Sequence, residues 1–265
     1  METVLDARDL VKSYGTGPEA LRILGGISFS VKKGEFVSVV GPSGCGKTTL
    51  LFALAGLHGV DQGTVTFQGR PVTAPPIGIA VVFQDYSRSL FPWKTNIDNV
   101  MFGMARTGFS KAEKRDRAEE LLGAVGLADF TGKFPWQLSG GMQQRVAIAR
   151  GLASQSELLL LDEPLAAVDA QTRADMQDLV RELAERFEQT CVLVTHDVEE
   201  AVYMADRVVV LSRRPTVVDH EIIIDLPRQR DQLETREHPN FLAARHDVMS
   251  RIRTFRAAAP LTEKA

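Results

Sequence analysis

Residues 35–48 read EFVSVVGPSGCGKT, and this stretch decides the fold. The apolar segment Glu35–Val40 predicts a buried strand, and Lys47–Ala55 has the pattern of a helix. Between them, Gly41–Thr48 fits the motif G-x-x-x-x-G-K-[ST], whose glycines let successive backbone N–H groups point at one anion. The helix adds its positive N-terminal end at the same place. The sequence therefore predicts a loop that binds phosphate groups.

Three side chains of this loop have specific expected roles. Lys47 is expected to neutralise β- and γ-phosphate oxygens of a nucleotide, and the Thr48 hydroxyl is expected to bind Mg²⁺. Cys45 lies near the helix start, where the pKa of a thiol falls and its reactivity rises. We expect a maleimide to block ATPase activity at Cys45 and ATP to protect it, unless this side chain is an inert filler.

Apolar runs alternate with helical patterns along the rest of the chain, which is typical of an α/β fold with a largely parallel sheet. Continuous apolar runs bounded by polar residues predict central strands covered on both faces. Further strands are predicted at Thr64–Phe67, Gly78–Phe83, Leu158–Leu161, Cys191–Thr195 and Arg207–Leu211. Further helices are predicted at Ala170–Arg186 and Val198–Ala205.

The middle of the chain, about residues 96–153, has almost no strand pattern. It contains the helical segments Lys111–Val125 and Gly141–Leu152. We interpret this region as a helical subdomain inserted between strands of the sheet. The alternative is one large connection between two strands.

The C-terminal part differs in composition from the domain that we assign to residues 1–226. Pro227–Asn240 is polar and charged, which is typical of a linker, and Phe241–Phe255 has apolar residues at helical spacing. Residues 227–265 are therefore interpreted as a linker and a helical tail. Such a tail either packs on the domain or has a regulatory role.

The composition excludes several classes of protein. The 265 residues contain 31 basic and 34 acidic side chains, so a formal net charge of −3 gives no bulk positive charge for nucleic acid. Two cysteines provide no disulfide framework, which favours a reducing compartment. The sequence has no apolar run long enough to span a membrane and no N-terminal secretory signal. We expect a cytoplasmic protein of roughly one large domain.

Two carboxylates follow the predicted strand Leu158–Leu161. In an open α/β sheet, the carboxyl ends of the strands face the ligand site. Asp162 is therefore expected to hold Mg²⁺, mostly through water, and Glu163 to orient and deprotonate an attacking water molecule. Solvated acids at a strand end are the alternative.

A second anion site is predicted where residues 138–145 read LSGGMQQR at a helix start. The Ser139 hydroxyl and the exposed N–H groups after it can bind a phosphate, although this motif alone would be an ordinary helix N-cap. The chain thus has two phosphate-binding helix starts and one complete phosphate loop. The simplest solution is a head-to-tail pair of chains, in which each completes the other's site.

Together these motifs resemble the ATP-binding cassette (ABC) ATPases from Tyr14 to about Leu211. The motifs occur in the family's order: the phosphate loop at Gly41–Thr49, Gln84 at a strand end, LSGGMQQR, LLLLDEP at 158–164, Asp169 in a short loop and His196 after another strand. The resemblance implies a P-loop NTPase of the ABC type. Its mostly parallel central sheet would be accompanied by an inserted helical subdomain and an antiparallel β region near the N-terminus.

The resemblance also implies ATP and Mg²⁺ as cofactors and assigns roles to single residues. Tyr14, which by composition could equally be a surface residue, would stack on adenine. Gln84 would contact Mg²⁺ and the attacking water, and His196 the γ-phosphate. Ser139, Gly140 and Gly141 would bind the γ-phosphate held by the opposite chain, and Asp169 would contact the opposite phosphate loop. The other nucleotide-binding positions would be Gly41, Pro42, Ser43, Gly44, Cys45, Gly46, Lys47, Thr48 and Thr49. Catalysis would involve Lys47, Gln84, Glu163 and His196, and the metal ligands would be Thr48, Gln84 and Asp162.

Two positions depart from the family's pattern, and one stretch narrows the subfamily. Met142 stands where the family usually has Gln, and Ala166 where Ser is common; neither replaces a phosphate ligand. FPW at residues 91–93 and DNV at 98–100 resemble importer ATPases of the nitrate, sulfonate and taurine group. Trp93 would either contact the membrane subunit or pack on the helical subdomain.

The subfamily implies partners and a location. A second copy of the chain, transmembrane permease subunits and, indirectly, an extracytoplasmic solute-binding protein would be the partners, and nucleic acid would not. The protein would lie at the cytoplasmic face of the membrane. The alternatives are a soluble ABC ATPase in DNA repair or translation, a nucleotide-binding regulator without turnover, and an exporter.

Overall fold

Two β-sheets of different kinds form the frame of the molecule. The structure is a computed structural model that describes residues 2–85, 89–166 and 168–257. An antiparallel sheet has the strand order β2-β1-β4-β5, and a six-stranded sheet has the order β10-β9-β3-β8-β7-β6. The strands are β1 Thr3–Tyr14, β2 Leu21–Lys32, β3 Phe36–Val40, β4 Gln62–Phe67, β5 Arg70–Pro71, β6 Ile79–Val82, β7 Leu158–Asp162, β8 Thr190–Val194, β9 Arg207–Leu211 and β10 Val218–Ile223. In the second sheet only the edge strand β10 runs antiparallel to its neighbour.

The described α-helices surround these sheets. They are α1 Lys47–Leu54, α2 Asn96–Gly103, α3 Lys111–Ala124, α4 Gly140–Ala153, α5 Ala170–Arg186, α6 Val198–Met204, α7 Glu234–Glu237 and α8 Pro239–Ala257. None of the helices in the described ranges is long and apolar enough to cross a bilayer.

The parallel sheet is buried on both faces, as its apolar runs predict. On one face, Val37 and Val39 of β3 pack with α1 and the antiparallel sheet. On the other, Phe36 and Val40 pack with the inserted helices and with Phe241 of α8. The strand is therefore held between two hydrophobic cores, which fixes the position of the loop that leaves its carboxyl end.

The predicted fold class, an α/β protein with a mostly parallel sheet and an antiparallel β region near the N-terminus, is confirmed. Every strand and helix for which a residue range was predicted is present, and its observed ends differ from the predicted ones by at most two residues. The helices α2, α3 and α4 lie between β6 and β7, and these two strands are parallel neighbours. The helical region is thus also the connection between adjacent strands, so the two alternatives for residues 96–153 describe one arrangement.

The segment predicted as a linker, Pro227–Asn240, contacts the domain through Arg230. Arg230 donates hydrogen bonds to the backbone carbonyls of Val202 (3.2 Å), Ala205 (2.8 Å) and Tyr203, at the C-terminal end of α6. These carbonyls have no partner within the helix, and a cation suits the negative end of the helix dipole. The charge in this segment therefore caps a helix.

The tail helix α8 packs on the domain. Phe241 and Val248 are fully buried and belong to the same core as the parallel sheet. Arg245 forms an ion pair of 2.9 Å with Glu199, and Arg236 one of 2.8 Å with the same carboxylate. The segment after β10 thus contacts α6 through both charge and apolar packing.

Candidate nucleotide site

The phosphate loop connects β3 to α1, at the carboxyl edge of the parallel sheet. Asp162 ends β7, and His196 follows β8 by two residues. Because β3, β8 and β7 are consecutive parallel strands, their ends bring these groups to one edge.

Two glycines of the loop adopt conformations that other residues avoid. Gly44 has φ +73° and Gly46 has φ +111°. A Cβ on Gly46 would lie 2.4 Å from Cγ2 of Ile23, so a side chain does not fit there. Lys47 is buried, and its Nζ donates to the carbonyls of Gly41 (3.0 Å) and Pro42 (3.3 Å). The ammonium group is therefore held against the first turn of the loop.

A cleft of about 490 Å³ opens over the loop. Its lining residues are Tyr14, Ile23, Ser43, Gly44, Gly46, Lys47, Thr48, Thr49, Glu163, His196 and Arg214. Tyr14 ends β1, is exposed, and has its hydroxyl 3.2 Å from Nδ1 of His58. An aromatic ring fixed at its hydroxyl and open on its surface is suited to stack on a base.

Asp162 is a buried carboxylate whose ionised form a nearby cation would stabilise. Burial and the adjacent charge of Glu163 raise its pKa to about 6, while Thr48 and Lys47 act in the opposite direction. The Thr48 hydroxyl donates to Oδ1 of Asp162 over 3.4 Å. A hydroxyl and a carboxylate are oxygen donors of the kind that Mg²⁺ prefers. These residues fit the ion, with water and phosphate oxygens as its remaining ligands.

Glu163 is held by its backbone and by two side chains. Its φ of +43° is unusual for a residue with a side chain, and its N–H donates to the carbonyl of Val194 over 2.8 Å. Nδ1 of His196 lies 3.0 Å from Oε2 of Glu163, and Nε2 of Gln84 donates to the same oxygen over 3.4 Å. The structure thus brings together three residues that the sequence places on separate strand ends.

Cys45 differs from the expectation. It is 2% exposed, and burial raises the pKa of its thiol, although Lys47 and Arg214 act to lower it. The predicted fall in pKa is therefore wrong, because desolvation of the thiolate outweighs the helix terminus and the two cations. The environment is that of the alternative, an inert side chain that fills the space under the loop.

The second predicted anion site lies apart from the phosphate loop. Ser139 caps α4 by accepting from the N–H of Met142 over 3.4 Å, and Asp169 caps α5 by accepting from the N–H of Thr172 over 3.0 Å. A Cβ on Gly141 would lie 3.1 Å from Cγ2 of Thr172, so the two helix starts are neighbours. Neither of these helix N-termini supplies any of the described residues that line the cleft.

Sequence reasoning missed Arg214, which lines the same cleft as Lys47. The residue follows β9, another strand of the parallel sheet, by three positions. Because ligand sites lie at the carboxyl ends of such strands, the pair Arg213–Arg214 after an apolar run was a usable signal.

A phosphate loop, a buried carboxylate on the next strand but one, and a second carboxylate within reach of a histidine define a nucleotide hydrolase of the P-loop class. Comparison with known proteins narrows this class. The ABC transporter family profile matches residues 24–166.

Several proteins of this kind are similar over most of the chain. An uncharacterized ABC transporter ATP-binding protein of Methanocaldococcus jannaschii is 44% identical over 232 residues, which are 88% of this chain and 86% of that protein. The nitrate import ATP-binding protein NrtD of Synechocystis sp. is 40% identical over 254 residues, 94% of this chain and 95% of that protein. The bicarbonate transport ATP-binding protein CmpC of Synechocystis sp. is 43% identical over 92% of this chain, which spans 37% of its length.

Solved structures agree with the sequence matches. An ATP-binding cassette captured as a dimer after hydrolysis, bound to ADP and Pi, superposes with a TM-score of 0.73. It is 33% identical, and the match covers 84% of this chain and all of that one. The chain belongs to the ABC transporter family. It is an ATP-binding subunit of a transporter, and its enzymatic activity is ATP hydrolysis.

Proposed function

We propose that the chain is the ATPase of an importer for a small solute, and that two copies work head to tail on a separate membrane permease. The observation that carries the hydrolytic part is the convergence of Gln84 and His196 on Glu163 at the phosphate-loop cleft. The importer part is supported by similarity to proteins named for nitrate import and bicarbonate transport.

In the proposed reaction, the chain positions ATP and its attacking water. Loop N–H groups and Lys47 bind the β- and γ-phosphates, and the ring of Tyr14 stacks on adenine. Glu163 accepts the proton of the attacking water, which Gln84 helps to orient, and His196 contacts the γ-phosphate. Thr48, Asp162 and Gln84 would hold Mg²⁺, which neutralises charge on the phosphate oxygens. Because phosphoryl transfer has a loose transition state, this positioning accounts for most of the rate.

The proposed dimer explains why four of the predicted nucleotide-binding residues, Ser139, Gly140, Gly141 and Asp169, are not among the residues that line the cleft. In a head-to-tail pair, Ser139, Gly140 and Gly141 of one chain bind the γ-phosphate held by the other. Asp169 contacts the opposite phosphate loop. ATP then joins the two chains, and hydrolysis removes the group that joins them, so the dimer alternates between closed and open states.

The remaining proposals concern organisation and location. Residues 1–226 form the cassette, with a helical subdomain at about 96–153, and residues 227–265 form a linker and a C-terminal helical tail. The protein works at the cytoplasmic face of the membrane through contact with permease subunits, and a solute-binding protein outside acts through that permease. A net charge of −3 supports attachment by protein contact rather than by attraction to lipid.

Purification of the full chain from native membranes tests the assignment. Identification of a transmembrane permease among the co-purifying subunits, with loss of solute uptake when the chain is deleted, is the expected result. Co-purification with ribosomes or nucleic acid, without a permease, would instead assign it to the rival class, the ABC ATPases of DNA repair or translation.

A further inference from the structure

The segment after β9 holds the outer side of the phosphate loop. Nε of Arg214 donates to the carbonyl of Gly44, and the Thr216 hydroxyl donates to the carbonyl of Cys45. The loop belongs to the site already described, whereas none of the motifs involves these two donors. We propose that Arg214 and Thr216 are positioning residues that keep the phosphate loop in its anion-binding conformation.

The physical reason is the geometry of the peptide group. In a trans peptide, the C=O and the following N–H point in opposite directions, so a carbonyl that is held on the outside directs the N–H to the inside. Thr216 holds the carbonyl of Cys45 in this way, and the opposed N–H belongs to Gly46. Arg214 holds the carbonyl of Gly44, and the opposed N–H, that of Cys45, closes a turn to the carbonyl of Pro42 over 3.1 Å.

Together with Lys47, these donors account for four carbonyl groups of the loop. Lys47 binds the carbonyls of Gly41 and Pro42, and the segment after β9 binds those of Gly44 and Cys45. A carbonyl oxygen turned toward a phosphate would repel it. A loop whose carbonyls are already engaged therefore presents donors to the anion without reorganisation.

Thr216 is rigid enough for this role. It is fully buried, its N–H donates to the carbonyl of Ile23 over 2.8 Å, and its own carbonyl accepts from the N–H of Gly25 over 2.7 Å. Both partners lie in β2 of the antiparallel sheet. The Thr216 hydroxyl is thus fixed by a different sheet from the one that carries the loop.

Arg214 also places a positive charge beside the phosphate loop. Its guanidinium lies beside Gly44, with one nitrogen 3.1 Å from the position of a Cβ there, and it lines the cleft with Lys47. The cleft thus has a second fixed cation for a di- or triphosphate. Such binding acts equally on the bound nucleotide and on the transition state, so its loss raises KM while kcat is kept.

The inference rests on the proposed function, so the experiment measures nucleotide binding and ATP hydrolysis with the full chain. Calorimetric titration with ADP and Mg²⁺ gives Kd, and steady-state ATP hydrolysis gives KM and kcat. We expect Arg214→Gln and Thr216→Val each to raise the Kd for ADP and the KM for ATP about tenfold, the scale of one charge-assisted or buried hydrogen bond, with kcat within about twofold. Thr216→Ser, which keeps the hydroxyl, restores binding, and Arg214→Lys restores it in part.

The matched control is Arg213→Gln, which removes the same charge from the exposed neighbour and leaves Kd unchanged. The exposed position of Arg214 keeps the test valid if Thr216→Val fails to fold. Wild-type protein without ADP binding would refute the nucleotide site itself. Wild-type binding with equal Kd values in Arg214→Gln would refute only the positioning role, as would a fall in kcat at constant KM.

Discussion

The starts of α1 and α4 are both built to bind an anion, yet their surroundings differ. At α1, Lys47 is buried, Gly44 and Gly46 have positive φ, and four carbonyl groups of the loop are engaged. At α4, Ser139 and Gly140 are exposed, and the hydroxyl makes only a weak cap of 3.4 Å to the N–H of Met142. One start lies in a finished cleft, and the other lies on an open surface.

The difference shows that a helix N-terminus alone does not define a binding site. Its partial charge is similar at both starts, about half an elementary charge. What differs is the second wall of the site, that is, the residues that face the helix N-terminus. At α1 they come from β7, β8 and the segment after β9. At α4 a second wall has to come from another surface, which the proposed dimer supplies. Nucleotide binding should therefore depend on the first start and turnover on both.

The largest effect is expected for Glu163→Gln, which keeps the shape of the finished cleft and removes its base. We expect kcat to fall roughly 10³-fold with the Kd for ATP unchanged, because the amide cannot accept the proton. ATP should then hold two chains together, measured by size-exclusion chromatography with multi-angle scattering. Normal turnover of this variant would remove Glu163 from the role of base.

A pH dependence of stability is expected from the wall of the finished cleft. Glu200 of α6 is buried beside the His196 loop with one unpartnered oxygen, and burial raises its pKa to about 7 from 4.5. The charge of Asp197 raises this pKa further. The hydroxyl of Thr195, the charge of Arg173 and the amide of Gln177 act to lower it. The folded protein binds this proton more tightly than the unfolded chain, so the stability from this group is full below pH 4.5 and is lost as the pH rises through 7.

Glu200→Gln tests this dependence, since glutamine keeps the acceptor for Thr195 and does not titrate. The free energy of unfolding of the variant relative to wild type should rise by about 3 kcal/mol between pH 4.5 and pH 8, as measured in urea. A difference that is constant across this range would show that Glu200 stays ionised in the folded protein.

The comparison of the two helix starts is sharpened by Ser139→Ala and Lys47→Ala. We expect Ser139→Ala to leave the Kd for ATP unchanged and to lower kcat about tenfold, the scale of one hydrogen bond to a charged oxygen. Lys47→Ala should instead weaken ATP binding itself. Equal loss of ATP affinity in both variants would contradict the division into a complete and an incomplete site.

The smallest effect is expected at the surface of the helical region. Trp93 is 71% exposed and packs against Phe91 with ring centroids 5.4 Å apart. If Trp93 contacts the permease, Trp93→Ala should lower ATPase activity in the assembled transporter by about twofold and leave the isolated chain unchanged, because the variant removes the ring from that contact. Equal reduction in both assays would support packing within the chain instead.

The sequence predicts best those elements that repeat one pattern. Leu158–Leu161 shows a continuous apolar run and Ala170–Arg186 a helical period, and the structure has a strand and a helix at these places. By contrast, β1 was expected only as part of an antiparallel β region, because its pairing is interrupted by several register shifts and by Asp9 at φ +50°. Such irregularities break the alternation from which a strand is predicted.

Site residues were predictable where they belong to a motif and not where they act on backbone groups. Glu163 is predicted from its place after an apolar strand, and Gln84 and His196 from the family's order of motifs. Arg214 and Arg230 were missed because each donates to carbonyl groups, which every residue has. A sequence shows that an arginine is present, but the carbonyl that it meets depends on the fold.

The helices α2 to α4 occupy a place where the chain can change in length without changing the order of the strands. They lie between β6 and β7, which pair in parallel from Ile79 with Leu158 to Val82 with Leu161. Residues gained or lost in this interval leave the whole ladder intact, since both strands keep their neighbours. Changes in this interval that spare Gln84 and residues 138–145 can therefore remodel the outer surface of the protein, while the strands that carry the phosphate loop and Asp162 keep their places.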